Sequence, residues 1–134
     1  MNSGIMTKKE HVSFGVEINV SDFEKSLLFY RDTLGFEVIR IDLEDGKFAA
    51  LAFYDAIFMI KKIKDLPSPR GIGVINRFLV PDNLEDYYQG LVKKGVRVIK
   101  QYKKMSYGLT RFYIADPDGF QLKFSSKESA QTVA

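Results

Sequence analysis

The chain repeats itself. At an offset of 60 residues, Val20 matches Val80, Asp22 matches Asp82, Gly35 matches Gly95, Val38 matches Val98 and Ile39 matches Ile99. In both copies the Asp precedes the Gly by 13 residues. A unit this short cannot bury an apolar face by itself, so the copies must share a core. At 134 residues the chain is long enough to hold one without staples.

Each copy reads as strand, helix and three strands. Val12, Phe14, Val16, Ile18 and Val20 alternate with polar or small residues, the period of a strand with one dry face. Ser21 and Asp22 supply oxygens for the free N–H groups of a helix start. Phe23, Leu27, Tyr30 and Leu34 recur at helical spacing before Gly35, a helix-ending glycine. Strands are expected over residues 36–43, 48–53 and 56–60, with Asp45-Gly46 as a hairpin turn. In the second copy, strands are expected over residues 72–80, 96–102, 109–115 and 120–124. Leu84, Tyr87, Tyr88 and Leu91 mark the helix, and Asp116-Pro117-Asp118-Gly119 a tight turn.

The predicted organisation is one domain over residues 12–125, built from modules 12–61 and 72–125 joined by a Lys-, Pro- and Gly-bearing linker over 62–71. Residues 1–11 and 126–134 are expected to be flexible termini, with Ser125 opening the polar tail. One helix per module covers one sheet face and leaves the other for a cleft or an interface.

Composition removes several functions. With no Cys and one His, His11, there is no thiolate chemistry and no site built from several histidines of one chain. Net charge is +3, below the basic stripe of a nucleic-acid binder. The Lys100–Lys104 cluster reads as a solvated strand end. No segment approaches the roughly 20 apolar residues that span a bilayer. No secretory leader is legible, and the expected location is the cytoplasm.

Three features resemble the vicinal oxygen chelate superfamily, the group of glyoxalases, bleomycin-resistance proteins and dioxygenases. They are Asn19-Val20-Ser21-Asp22-Phe23 leading to Leu34-Gly35-Phe36, then Val80-Pro81-Asp82 with Lys94-Gly95-Val96, and finally Arg111-Phe112-Tyr113-Ile114-Ala115-Asp116-Pro117-Asp118-Gly119. The resemblance implies an α+β, glyoxalase-like fold: two βαβββ modules forming a curved mixed sheet around a ligand cleft, within a homodimer. It also implies four metal ligands on cleft-facing strand positions, which here are Gly15, Met59, Ile75 and Lys123. None suits a divalent cation. His11 lies four residues before Gly15, about 13 Å along a strand. The expectation is therefore a member without a metal or other cofactor.

Alternation and the repeat offset place Glu17, Asn19, Ile57, Met59, Lys61, Ile75, Arg77, Leu79, Arg111, Tyr113, Gln121 and Lys123 on the cleft side. The ligand-binding set drawn from these is Glu17, Met59, Ile75, Arg77, Arg111, Tyr113, Gln121 and Lys123. Glu17 and Arg77 are pseudo-equivalent and are expected either to pair or to orient a ligand. The partner expected is a small anionic or aromatic organic molecule. Two other readings remain open. One is a lactoylglutathione-lyase-like lyase or isomerase with Glu17 as general base and Lys123 as electrophile. The other is a non-catalytic dimeric regulator.

Overall fold

The computed structural model describes residues 15–44, 46–63 and 73–126. The first module holds β1 (Val16–Val20), α1 (Phe23–Leu28) running into a π-helical turn (Phe29–Thr33), β2 (Glu37–Asp42), β3 (Phe48–Phe53) and β4 (Ala56–Lys62). The second holds β5 (Ile75–Val80), α2 (Leu84–Lys93), β6 (Arg97–Lys104), β7 (Thr110–Ala115) and β8 (Gln121–Ser126). The sheets run β1-β4-β3-β2 and β5-β8-β7-β6. In each, the first strand pairs parallel with the last while the other pairings are antiparallel. The fold is thus α+β, a βαβββ unit used twice in two mixed sheets. His11, residues 64–71 of the expected linker and residue 72 lie outside the described residues.

The repeat holds in topology and bends in detail. Asp22 caps α1, its Oδ1 accepting from the Lys25 N–H at 3.1 Å. Ser21, expected to share that role, instead donates its Oγ hydroxyl to Asp118 Oδ1 of the second module at 2.6 Å. After Leu28 the helix widens, and the Leu34 N–H reaches the Phe29 carbonyl five residues back. Gly35 then takes φ +85°, a left-handed turn that a side chain would strain. In the second copy Asp82 caps nothing: Asn83 stands at the cap in the left-handed region, with no side-chain bond to the helix.

Several strand limits differ from expectation. Gly73 turns the chain at φ +80° before β5 begins at Ile75, and residue 72, where that strand is expected to start, lies outside the described residues. β4 extends to Lys62. Ser125 and Ser126 are not tail but the end of β8. Ser125 is buried and accepts from Arg77 Nε at 3.2 Å, and Ser126 Oγ accepts from the Thr110 N–H at 3.0 Å.

The core lies between the modules. Phe36 and Phe58 of the first unit put their ring centroids 5.3 and 5.7 Å from that of Phe78 in the second. Phe53 lies 5.6 Å from Phe124 and 5.7 Å from Tyr87. Burying each such ring contributes about 1.5–3 kcal/mol, and edge-to-face geometry adds to it. Polar ties reinforce the seam. The Tyr87 hydroxyl donates to the Leu34 carbonyl at 2.6 Å. Lys94 Nζ donates to the Asp32 and Thr33 carbonyls at 3.1 Å, neutralising the carboxyl end of the first helix. Tyr30 donates to Asp116 Oδ2 at 2.6 Å, and both residues are buried. Asp116 Oδ1 also accepts from the N–H groups of Asp118 and Phe120, holding the tight turn. With the two inner faces turned to this common core, the outer sheet faces are left open.

Candidate functional site

The open face of the second sheet follows from register. Tyr113 on β7 stands opposite Lys123 on β8 and Lys100 on β6, and Lys123 stands opposite Arg77 on β5. Arg77, Lys123, Tyr113 and Lys100 therefore form one transverse row across all four strands. Arg111, two residues from Tyr113, shares its side of the pleat. The Tyr113 ring gathers the neighbouring charges: Lys100 Nζ lies 4.8 Å from its centroid, Lys123 Nζ 5.6 Å and the Arg111 guanidinium carbon 5.6 Å. Such contacts hold cations without neutralising them. Arg111 is further fixed by donating Nη1 to the Gln101 carbonyl at 2.7 Å.

No acid balances this row within its own sheet. The strands β5–β8 carry Arg77, Arg97, Lys100, Lys103, Lys104, Arg111 and Lys123, and neither Asp nor Glu. The ion pairs among the described residues are Arg31–Asp32 and Lys47–Glu24, both away from this face. Like charges opposite one another on neighbouring strands, as Arg77 and Lys123 are, destabilise a sheet. The arrangement has a stability cost that the fold itself does not require.

The expected site residues divide between the two sheets. Glu17 and Met59 face each other across β1 and β4 of the first sheet. Ile75 and Gln121 do so on the second, beside the Arg77–Lys123 pair. Of the two roles expected for Glu17 and Arg77, a pair with each other is absent among the described residues. Their strands β1 and β5 are edges of different sheets, and Arg77 is turned across its own sheet to Ser125. Among the described residues the Glu17 carboxylate makes no hydrogen bond or ion pair.

Two participants were missed from sequence. Lys100 is one, expected as part of a solvated strand end. Register irregularities between Val98 and Lys100, and again between Lys100 and Lys103, bring it opposite Tyr113, and a bulge leaves little trace in alternation. Asn76 is the other. Val16, Ile57, Phe58, Ile75, Asn76 and Arg77 line a groove of about 240 Å³ where the modules meet. Asn76 is buried there with Nδ2 unpartnered. Its one signal was a lone amide at an inward position of an otherwise apolar alternation.

A model of the glyoxalase/bleomycin resistance protein/dioxygenase superfamily matches residues 10–124. The chain belongs to this superfamily. It is 31% identical over 126 residues to an iron-dependent extradiol dioxygenase of Rhodococcus jostii (strain RHA1), covering 81% of this chain and 41% of that protein. The chain therefore spans less than half the length of this relative. A superfamily member from Sphaerobacter thermophilus DSM 20745 superposes with a TM-score of 0.65 at 27% identity, covering 87% of this chain and 98% of that one. A glyoxalase/bleomycin resistance protein/dioxygenase from Alicyclobacillus acidocaldarius does so with a TM-score of 0.74 at 16% identity, covering 96% and 100%, and shows the fold alone.

The metal that some superfamily members use finds no fitting donors at the corresponding positions. A Cβ built on Gly15 would lie 3.3 Å from Met59 Cε, so a thioether methyl fills the space beside it. Ile75 offers an alkyl group, and Lys123 a cation held near Tyr113. Among the described residues no three His, Cys, Asp or Glu side chains come together as a metal-binding group.

Proposed function

We propose that this superfamily member binds a small organic anion on the open face of its second sheet, without a catalytic metal. The observation that carries the reading is the transverse row Arg77–Lys123–Tyr113–Lys100, in a sheet whose strands contain no acid. An anion placed on the row relieves the repulsion among its cations and gains charge-assisted hydrogen bonds. Ile75 and the adjoining apolar groove offer surface to the ligand's carbon skeleton.

Thermal unfolding of protein purified without chelator, against a panel of organic anions with and without EDTA, tests this. A ligand at 100 times its dissociation constant adds about 2.7 kcal/mol, enough to read as a clear rise in Tm. The expected result is stabilisation by anions that EDTA leaves unchanged. Tightly bound stoichiometric iron, zinc, manganese or nickel, or stabilisation that requires a divalent metal, overturns the reading.

A further inference from the structure

The row also bears on the charge of its ligand, on the premise that the anion site just proposed is correct. The geometry points to a multiply charged oxyanion head, such as a phosphate monoester or a pair of adjacent carboxylates, rather than a singly charged aromatic acid. The Tyr113 ring is already engaged: Lys100, Arg111 and Lys123 all hold their charge within 5.6 Å of its centroid. A ligand that relied on stacking against this ring would compete with three cations for its surroundings. A ligand that relied on charge would meet those same cations gathered together. No two of the three charge centres are more than about 11 Å apart, because all lie within 5.6 Å of one point.

Strand spacing sharpens the match. Adjacent strands lie about 4.8 Å apart, so Arg77 and Lys123 spring from neighbouring backbones with like charges side by side. One carboxylate can neutralise one of them. A phosphoryl group presents several oxygens to both sides at once and accepts charge-assisted bonds from donors on two strands. Arg111, half-buried and braced on Gln101, approaches from the next register position. The strands of this sheet thus supply several donors to one head group and carry no acid to repel a second negative charge.

Calorimetric titration at fixed ionic strength tests the inference with four probes: phenyl phosphate, inorganic phosphate, benzoate and benzamide. Phenyl phosphate is expected to bind at least tenfold more tightly than benzoate, with inorganic phosphate displacing it. Lys123→Gln should weaken phenyl phosphate at least tenfold, and Lys100→Gln, at an exposed position that leaves the core untouched, should weaken it severalfold. Lys62→Gln on the first sheet should leave it unchanged. Benzoate or benzamide binding as tightly as phenyl phosphate overturns the inference while leaving the metal-free site standing. Failure of all four probes overturns both. A single-stranded oligonucleotide that outcompetes phenyl phosphate at the same salt assigns the row to a polymer and also overturns the inference.

Discussion

Replacing Tyr30 by Phe removes one hydroxyl from the seam between the modules, and its effect can be worked from the structure. That hydroxyl donates to Asp116 Oδ2 at 2.6 Å, and burial together with the Asp116 charge holds it protonated. Burial also raises the Asp116 carboxyl above its ordinary value of 3.8, against the hydrogen bonds from Tyr30 and the Phe120 and Asp118 N–H groups, which pull it down. Losing a bond to a charged acceptor costs about 1.5–3 kcal/mol, and the Phe variant leaves that oxygen without its donor in a site closed to water. For a chain of this size, about 2 kcal/mol corresponds to a fall in Tm of roughly 6–10 °C.

The pH dependence carries the sharper test. Because the folded carboxyl titrates above the unfolded one, the folded state holds the extra proton in the window between the two values. Stability therefore falls as pH rises through that window. Removing the hydroxyl takes away a downward influence, so the folded value moves further up. Above it the variant loses a bond to a carboxylate, and below it only a bond to a neutral acid. The loss should be largest near about pH 7 and shrink near about pH 4, read by urea denaturation of both proteins at each pH. Pairing with Asp116→Asn in a double-mutant cycle should show a coupling of about 1 kcal/mol or more. A loss equal at both pH values, or below about 0.5 kcal/mol throughout, would refute the assignment of Tyr30 as the donor that stabilises buried Asp116.

Other substitutions report on separate parts of the argument. Ser26 is buried with its Oγ unpartnered, so Ser26→Ala should raise stability by about 1 kcal/mol in urea denaturation; a loss would mean the hydroxyl has a partner. Asp22→Ala should cost about 1 kcal/mol, whereas Asp82→Ala should stay within about 0.5 kcal/mol, since only the first copy caps its helix. Equal losses would contradict the asymmetry between the helix starts. Phe53 stacks on Phe36 in its own module and meets Phe78, Tyr87 and Phe124 of the other. Phe53→Ala should cost about 3–5 kcal/mol and Phe53→Leu distinctly less, and a cost for Ala below about 1 kcal/mol would argue against a shared core.

The module order was legible because each copy obeys local rules. Alternation in Val16–Val20, helical spacing from Phe23 to Leu34 and the glycines at 35 and 95 act within a few residues. The faces of Arg77, Arg111, Tyr113 and Lys123 were legible for the same reason, since period 2 fixes a side chain's direction once the strand is placed. Where the reading failed, a distant partner decided the outcome. Ser21 turns to Asp118, 97 residues away, and Ser125 remains in a strand partly because Arg77 reaches it. Lys100 joins Tyr113 only through the irregular register of β6, which alternation cannot anticipate.

The sequence by itself thus determined two βαβββ units, their buried faces and the unsuitability of Gly15, Met59, Ile75 and Lys123 as metal ligands. Short-range periodicity suffices for the first two, and the third rests on the family resemblance that places the ligand positions together with the side chains found there. Only the tertiary structure decided that Arg77 turns to Ser125 rather than to Glu17 and that Arg77, Lys123, Tyr113 and Lys100 form one row. That outcome depends on which strands become neighbours and at what register. Both are matters of pairing between residues far apart in the chain, such as Arg77 with Lys123, which no local pattern records.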